Sequence, residues 1–478
     1  MKHYDKQFID GAWREGTGDT IMENYNPYTG KLIYKYRSAS KQDVDDAYAA
    51  AEAAQPEWAK TLPEDMRAFH QKLYQVARDM EKEIDELLTE EGGGTKSKFA
   101  FEYWDTIKVI EDAMGYHMFM DGKIMPSNVP GKDNYVYKLP KGVICVIAPF
   151  NFPLLLAMRS VVAAIALGNT VVLKPSSDTP GSAFQIAEMY ERAGLPKGVL
   201  NVVAGRGSEI GDYIVEHPTP SLVSFTGSTE VGQRIGGIAG QTLKDVSLEL
   251  GGNQVMIVLD DADVDQAAKA AIVGSYSHQG QICMALNRIL CTPKVHDEFV
   301  ERFVKYSREV ACGDPTDPAV MIGPLINERQ AHKAKENIDK AIAAGAKLAL
   351  EGSITGGVIS PWILTDVKND MVTAKCEMFA PVTSIIRVKD EDEAIAVAND
   401  TEYGLSNSIF TGDLYHGMQL AKRLGSGMAH VNDQSITHEP HVMFGGEKYS
   451  GVGRFNGHWV VDKFTTEKWI SVQREDRY

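Results

Sequence analysis

Two hydrophobic periods run along this chain, and they divide it. From Arg67 to Glu91 the apolar residues Leu73, Val76, Ala77, Met80, Ile84, Leu87 and Leu88 recur at helical spacing, predicting one packing helix that Gly92-Gly93-Gly94 ends. From there to about Asp133 the signal weakens, and Tyr135 to Leu139 then alternates like an exposed strand. From Val143 onward, short Val/Ile/Leu-rich runs at 143–148, 170–173, 200–203, 222–225 and 245–249 are separated by segments of helical length and pattern. Continuous apolar strands alternating with helices predict a parallel sheet covered on both faces, a Rossmann-like half. The alternation resumes with a strand at Val255 to Leu259, a helix through Val264 to Ser277, a strand at Arg288 to Thr292 and a helix from Val295 to Val310. Mixed elements at Ala346 to Leu350, Ser384 to Val388 and Ala394 to Ala398 complete a second α/β lobe. Lys468 to Val472 reads as a strand with no partner nearby in sequence, available to a sheet in another lobe or another subunit.

Charge and cysteine usage narrow the classes. The 478 residues carry a formal charge of −16 with no Lys/Arg stripe, which excludes a nucleic-acid partner. Cysteines at 145, 283, 291, 312 and 376 are odd in number and scattered, so a disulfide framework is not expected and a reducing compartment is. Met1 to Asp5 has no apolar leader core, making cytoplasmic residence the expectation. The most apolar stretch, Val143 to Leu173, holds Pro149, Asn151, Pro153 and Arg159, so it reads as strand, helix and strand buried in protein and not as a membrane span.

Several local patterns carry chemistry. Cys283 in Gly280-Gln281-Ile282-Cys283-Met284 is either a nucleophile in a tight loop with exposed backbone amides or a small buried hydrophobe, whereas Cys145 and Cys291 lie in strand patterns and read as core. Glu249 ends a buried strand between two leucines, before Gly251-Gly252; burial raises a carboxyl toward the value a general base needs, and a structural ion pair is the other reading. Lys174 falls at the carboxyl end of a strand, where open α/β sheets bind ligands. Gly227-Ser228-Thr229-Glu230-Val231-Gly232 sits at a strand-to-helix turn that lets backbone N–H groups approach a pyrophosphate, although its spacing is not GxGxxG. His438-Glu439-Pro440-His441 lacks the i, i+4 helical spacing of a zinc motif, so no metal is expected. Gly92-Gly93-Gly94-Thr95-Lys96 lacks the spacing and the preceding strand of a phosphate loop and serves as a helix terminator.

With these residues in hand the chain resembles the aldehyde dehydrogenase superfamily nearly end to end. The matching motifs, in order, are Pro149-Phe150-Asn151-Phe152-Pro153, Lys174-Pro175-Ser176, Phe225-Thr226-Gly227-Ser228-Thr229, Leu248-Glu249-Leu250-Gly251-Gly252, Gly280-Gln281-Ile282-Cys283, Glu377-Met378-Phe379-Ala380-Pro381-Val382 and Phe444-Gly445-Gly446. The resemblance implies an α/β fold with a Rossmann-like cofactor domain (1–119 and 140–250), an α/β catalytic domain (251–445) and a small oligomerisation β-segment (120–139 and 460–478), assembled as a homodimer or homotetramer. It implies Cys283 as the nucleophile toward an aldehyde, Asn151 with the Cys283 backbone N–H as oxyanion donors, and Glu249 as the base that activates water on a thioester. NAD or NADP is the implied cofactor, with Lys174, Ser177, Phe225, Gly227, Ser228, Gly232, Leu250, Glu377 and Phe379 as its contacts. Many NAD-preferring members carry a glutamate where Ser177 stands, so the repulsion of a 2′-phosphate is missing and NADP is admitted. Ala380 in place of a common glycine and Cys376 in place of a common glutamate touch local geometry and not role.

The run Phe150 to Ser160, Ile282-Cys283-Met284 and His438 to His441 are similar to the branch acting on benzaldehyde, vanillin and salicylaldehyde. There Phe152 and Leu156 would line an apolar tunnel for a flat ring, with Arg159 beside it or held in a structural ion pair. The alternatives are a broad aliphatic aldehyde dehydrogenase, a CoA-acylating enzyme, against which Glu249 speaks, and a non-catalytic protein on the same scaffold.

Overall fold

The computed structural model describes residues 4–477. The expectation about the N-terminus rests partly on Met1–His3, which lie outside that range, as does Tyr478 at the end of the expected oligomerisation segment. The five apolar runs form the parallel strands β1 (Val143–Ile147), β2 (Thr170–Lys174), β3 (Leu200–Val202), β4 (Leu222–Thr226) and β5 (Asp245–Glu249). They stand in the order β3-β2-β1-β4-β5, extended at one side by the hairpin strands Gln7–Ile9 and Ala12–Arg14 and at the other by Gly451–Val452. Every residue of β1 and β2 is buried, which is why these runs are apolar without alternation.

A second sheet is built on β6 (Gln254–Val258), β7 (Leu286–Cys291) and β8 (Val382–Arg387), with Trp362–Thr365, Ser406–Phe410 and Met428–Val431 also parallel and Lys347–Leu350 antiparallel at one edge. The chain returns late to the first sheet: Gly451–Val452 pairs with Leu248 and Glu249, and Leu250 N–H donates to Ser450 O at 2.9 Å. The strand Thr465–Gln473 finds its partner within the same chain, pairing antiparallel with Lys132–Pro140, which also holds Lys123–Met125. Ile124 and Trp469 on this small sheet are 79% and 66% exposed.

The stretch 143–173 resolves as β1, a helix and β2. The helix α2 (Pro153–Ala166) is entered through Pro153 in its first turn, where a missing N–H costs nothing, and it buries all but one of its residues. It packs on α1 (Lys96–Ala113), which Thr95 caps by accepting from Lys98 N–H. The single helix expected over 67–91 is instead two, Pro63–Asp79 and Glu81–Gly92, broken at Met80 (φ −91°, ψ 4°). Met80 is itself buried, so the apolar period continues through a corner that periodicity alone does not register. Gly93 ends the second helix in the left-handed region, φ 64°, as a terminator should. No described helix is long and apolar enough to cross a membrane.

Candidate active site

Three turns converge where the carboxyl ends of β1 and β5 face the amino ends of β6 and β7. The first follows β1 and carries Asn151, whose buried side-chain Nδ2–H donates to Gln281 O at 2.9 Å. The second follows β5, where Glu249 is the last strand residue and Gly252 N–H donates to Glu377 Oε1 at 2.9 Å. A Cβ at Gly251 would lie 2.6 Å from Glu377 Oε2, so the glycine is what lets that carboxylate approach the backbone. The third is the loop into Cys283, fastened to the second turn by Gln254 Nε2–H donating to Cys283 O.

That third loop is buried, contrary to the exposed amides expected of it. His278, Gln279 and Gly280 have φ of 47°, 59° and 73°, three successive left-handed residues of which only the last is glycine. The conformation is held from outside: Gln279 Nε2–H donates to Pro324 O at 2.7 Å and to Gly93 O at 3.2 Å, and Gln281 Oε1 accepts from Ile326 N–H at 3.0 Å. A Cβ at Gly280 would stand 2.6 Å from Ala380 O, which ties the cysteine loop to the Glu377–Val382 motif.

The charges here are poorly solvated. Glu249 is buried, neither carboxylate oxygen has a hydrogen-bond partner among the described residues, and burial raises it to about 7 against the pull of Arg159 and Arg454. Glu377 is also raised to about 7 by burial, opposed by Gly252 N–H and Lys333. Cys283 is half-buried, and burial followed by the charges of Glu377 and Glu249 pushes its thiol up to about 12, with Arg159 acting the other way. The resting sulfur is therefore a thiol, close to a carboxyl that titrates near neutrality.

Arg159 makes no ion pair among the described residues. Its guanidinium lies 4.8 Å from the Phe444 ring centroid and 4.4 Å from that of Phe455, and none of its three nitrogens has a hydrogen-bond partner among the described residues. Phe152 is buried, edge-on to Phe101 and His278 at 5.7 and 5.2 Å, while Leu156 on the next turn of α2 is half-buried.

On the far side of the strand ends, Lys174 closes β2 with its Nζ donating to Pro175 O at 3.1 Å, and burial lowers it to about 8. Ser177 Oγ–H donates to Gly205 O at 3.3 Å. Helix α3 (Thr229–Gln241) starts behind β4 with Ser228 as its cap, and Gly227 N–H donates to Glu249 O at 3.0 Å. A Cβ at Gly227 would strike the Phe225 ring, and one at Gly232 would strike Leu250, so both glycines keep backbone close to neighbouring side chains. Phe379, at φ 49°, sets its ring edge-on to Phe150 at 5.9 Å.

This order of turns on two α/β sheets is matched by the family model of the aldehyde dehydrogenases over residues 13–470. The chain belongs to the aldehyde dehydrogenase family. It is 46% identical over 475 residues to a benzaldehyde dehydrogenase of Bacillus subtilis, covering 99% of this chain and 98% of that one. It is 45% identical over 472 residues to a vanillin dehydrogenase of Corynebacterium glutamicum, covering 98% of each. Among solved structures, an NAD-dependent benzaldehyde dehydrogenase from Corynebacterium glutamicum superposes with a TM-score of 0.91 at 42% identity, covering 98% of this chain and 97% of that one.

Sequence reading passed over two features of this aldehyde dehydrogenase. Gln279 and Gln281 brace the cysteine loop, and no local pattern marks a glutamine as a brace. His438, set aside with its motif, donates from Nδ1 to Asp105 Oδ2 (2.9 Å) and accepts at Nε2 from Asn456 Nδ2–H (3.2 Å), whereas His441 lies exposed beside Glu439. The two histidines thus have separate surroundings, and no group of three or more His, Cys, Asp or Glu suited to a metal occurs among the described residues.

The buried Glu249 has a consequence for stability. A carboxyl whose folded pKa is raised, here from an ordinary 4.5 to about 7, keeps its full contribution below the unfolded value and loses it as pH rises through the folded one. Glu249→Gln is therefore expected to melt above the parent by a few degrees at about pH 8.5, with a smaller gap at about pH 6, in thermal unfolding at the two pH values.

Proposed function

We propose that this protein oxidises aromatic aldehydes to carboxylic acids, with NAD or NADP as oxidant, through a covalent intermediate on Cys283. The observation that carries the reading is the convergence of one half-buried thiol, one buried and unpartnered carboxyl and one buried amide donor from three separate turns. Cys283 Sγ adds to the aldehyde carbon, giving a thiohemiacetal. Because the thiol rests protonated, its proton must leave as the C–S bond forms, and Glu249, raised toward neutrality by burial and with neither oxygen bonded among the described residues, is the base proposed to take it. The Asn151 amide and the Cys283 backbone N–H donate to the oxygen as it gains charge, a contact worth about 10² to 10³ in rate per donor. The nicotinamide, when bound, supplies the hydride acceptor that leaves a thioester on Cys283. Glu249 gives up the first proton to solvent, takes a second from water as the water oxygen attacks the thioester carbon, and returns it to the sulfur as the C–S bond breaks, so the acid leaves and the thiol is restored.

The cofactor face fits a dinucleotide by its donor set. Lys174 is buried with a single backbone acceptor and is suited to ribose hydroxyls; Glu377, held by Gly252, would accept from the second ribose; Gly227, Ser228 and Gly232 bring the start of α3 toward a pyrophosphate, flanked by Phe225 and Leu250; Phe379 would pack beside the nicotinamide. Ser177 presents no charge to a 2′-phosphate, which supports use of NADP as well as NAD. The aromatic substrate rests on the benzaldehyde and vanillin relatives and on the apolar lining offered by Phe152 and Leu156, with Arg159 and its two phenylalanines alongside. The proposed division into cofactor (1–119 and 140–250) and catalytic (251–445) domains is supported by the two sheets, although the strand Gly451–Val452, outside those bounds, joins the first. The exposed apolar residues of the small sheet, Ile124 and Trp469, favour a homodimer or homotetramer built through 120–139 and 460–478. The cysteines, none of them in a disulfide, agree with a cytoplasmic setting.

Steady-state comparison of benzaldehyde and vanillin with hexanal tests the substrate: the aromatic aldehydes are expected to have the higher kcat/KM, and a clear preference for hexanal refutes the assignment. Glu249→Gln should stall after oxidation, so that intact-protein mass spectrometry finds an acyl group on Cys283, which Cys283→Ala abolishes together with activity. Ser177→Glu should weaken NADP at least about tenfold more than NAD in KM, because only the former places a dianion against the new carboxylate.

A further inference from the structure

The helix that follows Asn151 is held at its start by a buried ion pair from α1. Glu102 Oε1 accepts from Leu154 N–H at 2.9 Å and from Leu155 N–H at 3.2 Å, two of the free donors in the first turn of α2. Its other oxygen is bonded by Lys98 Nζ, one turn earlier on α1, and both side chains are almost wholly buried. The same Lys98 ammonium stands 5.2 Å over the ring of Phe152, the residue between Asn151 and the helix. That ring meets His278, the first left-handed residue of the cysteine loop, while the Asn151 amide spans to Gln281 in the same loop.

A pair of buried charges is a poor way to gain stability, since apolar residues of equal volume commonly do as well. What an apolar pair cannot do is accept two N–H bonds at a defined point. The carboxylate also suits the positive end of a helix. Glu102 therefore fixes where α2 begins, and with it the position of Asn151 three residues before Leu154.

We propose that Glu102, with Lys98 compensating its charge, is a positioning residue for the Asn151 amide: it acts on turnover through Asn151 and does not touch the substrate. The proposal rests on the role given to Asn151 under the proposed function. Positioning errors of about 1 Å cost up to about a hundredfold in rate.

The test is a double-mutant comparison on the full-length enzyme with benzaldehyde and NAD. Asn151→Ala should lower kcat by about 10² to 10³. Glu102→Leu should lower kcat by about ten- to a hundredfold with KM little changed, since the lost contact is one made in the transition state. The double variant should turn over no more slowly than Asn151→Ala alone, because residues acting as one unit are not additive. Cys283 alkylation by iodoacetamide should proceed at the parent rate in Glu102→Leu, showing that the cysteine loop is intact. Should Glu102→Leu fold poorly, Lys98→Met/Glu102→Leu, which removes both charges at similar volume, takes its place in the same comparison. Losses that multiply in the double variant, or a parent kcat in the Glu102 variant, overturn the proposal while leaving the reading of Asn151 intact. A parent kcat in Asn151→Ala overturns both.

Discussion

Desolvation of charge governs the candidate active site. Glu249, Glu377, Arg159 and Lys174 are all drawn into protein, and for each the largest influence on its proton affinity is burial and not a neighbouring charge. Were Glu249 bonded to Arg159, its carboxyl would fall toward or below the ordinary range and it would be useless as a base near pH 7. Instead the guanidinium is held between two phenyl rings, which stabilise a cation without donating the acceptor atoms that would fix it in a salt bridge. Its charge still reaches Glu249 and Cys283, easing each toward its ionised form, while leaving the carboxylate free of a partner.

The second requirement is that three turns from different strands meet within bonding distance. Backbone contacts do this more than side-chain packing does. Gly251 and Gly252 admit Glu377 to the backbone, Gly280 admits Ala380 O, and Gln254 links Cys283 O to the start of β6. The left-handed His278 and Gln279 carry a conformational cost of order 1–3 kcal/mol each. Two hydrogen bonds from Gln279 to distant backbone offset part of it, so the strained loop is held by the surrounding fold and not by its own sequence.

Much of this was readable in the chain. The strands β1 to β5 follow from apolar runs because burial on both faces leaves no room for polar alternation, and Lys174 and Glu249 could be placed at strand ends from those same runs. The C-terminal strand was visible but its partner was not, since the pairing joins segments more than three hundred residues apart and strand pattern carries no address. Helix α1 was the largest omission. Lys98, Glu102, Asp105 and Thr106 are all buried there, so the polar residues that break its apolar period face inward. A pattern rule equates polar with exposed, and it loses the signal wherever a core is wired with charge.

That omission and the site's electrostatics have one cause. An active site that keeps a base unpaired must be dry, and a dry site must be positioned by elements that themselves reach into the core. In α1 the charged residues are satisfied among themselves and by backbone: Glu102 by Lys98 and the first turn of α2, Asp105 by Lys108 and His438. At the candidate active site the corresponding groups, Glu249 at the end of β5 and Arg159 within α2, have no hydrogen-bond partner among the described residues. Adjacent buried charges are thus sorted into a satisfied set that holds geometry and an unsatisfied set left free to react. Aromatic rings flank a cation of each set, Phe152 against Lys98 and Phe444 and Phe455 against Arg159. An extra donor introduced beside Glu249 would convert the proposed base into a structural carboxylate, and the fold would survive the change better than the chemistry.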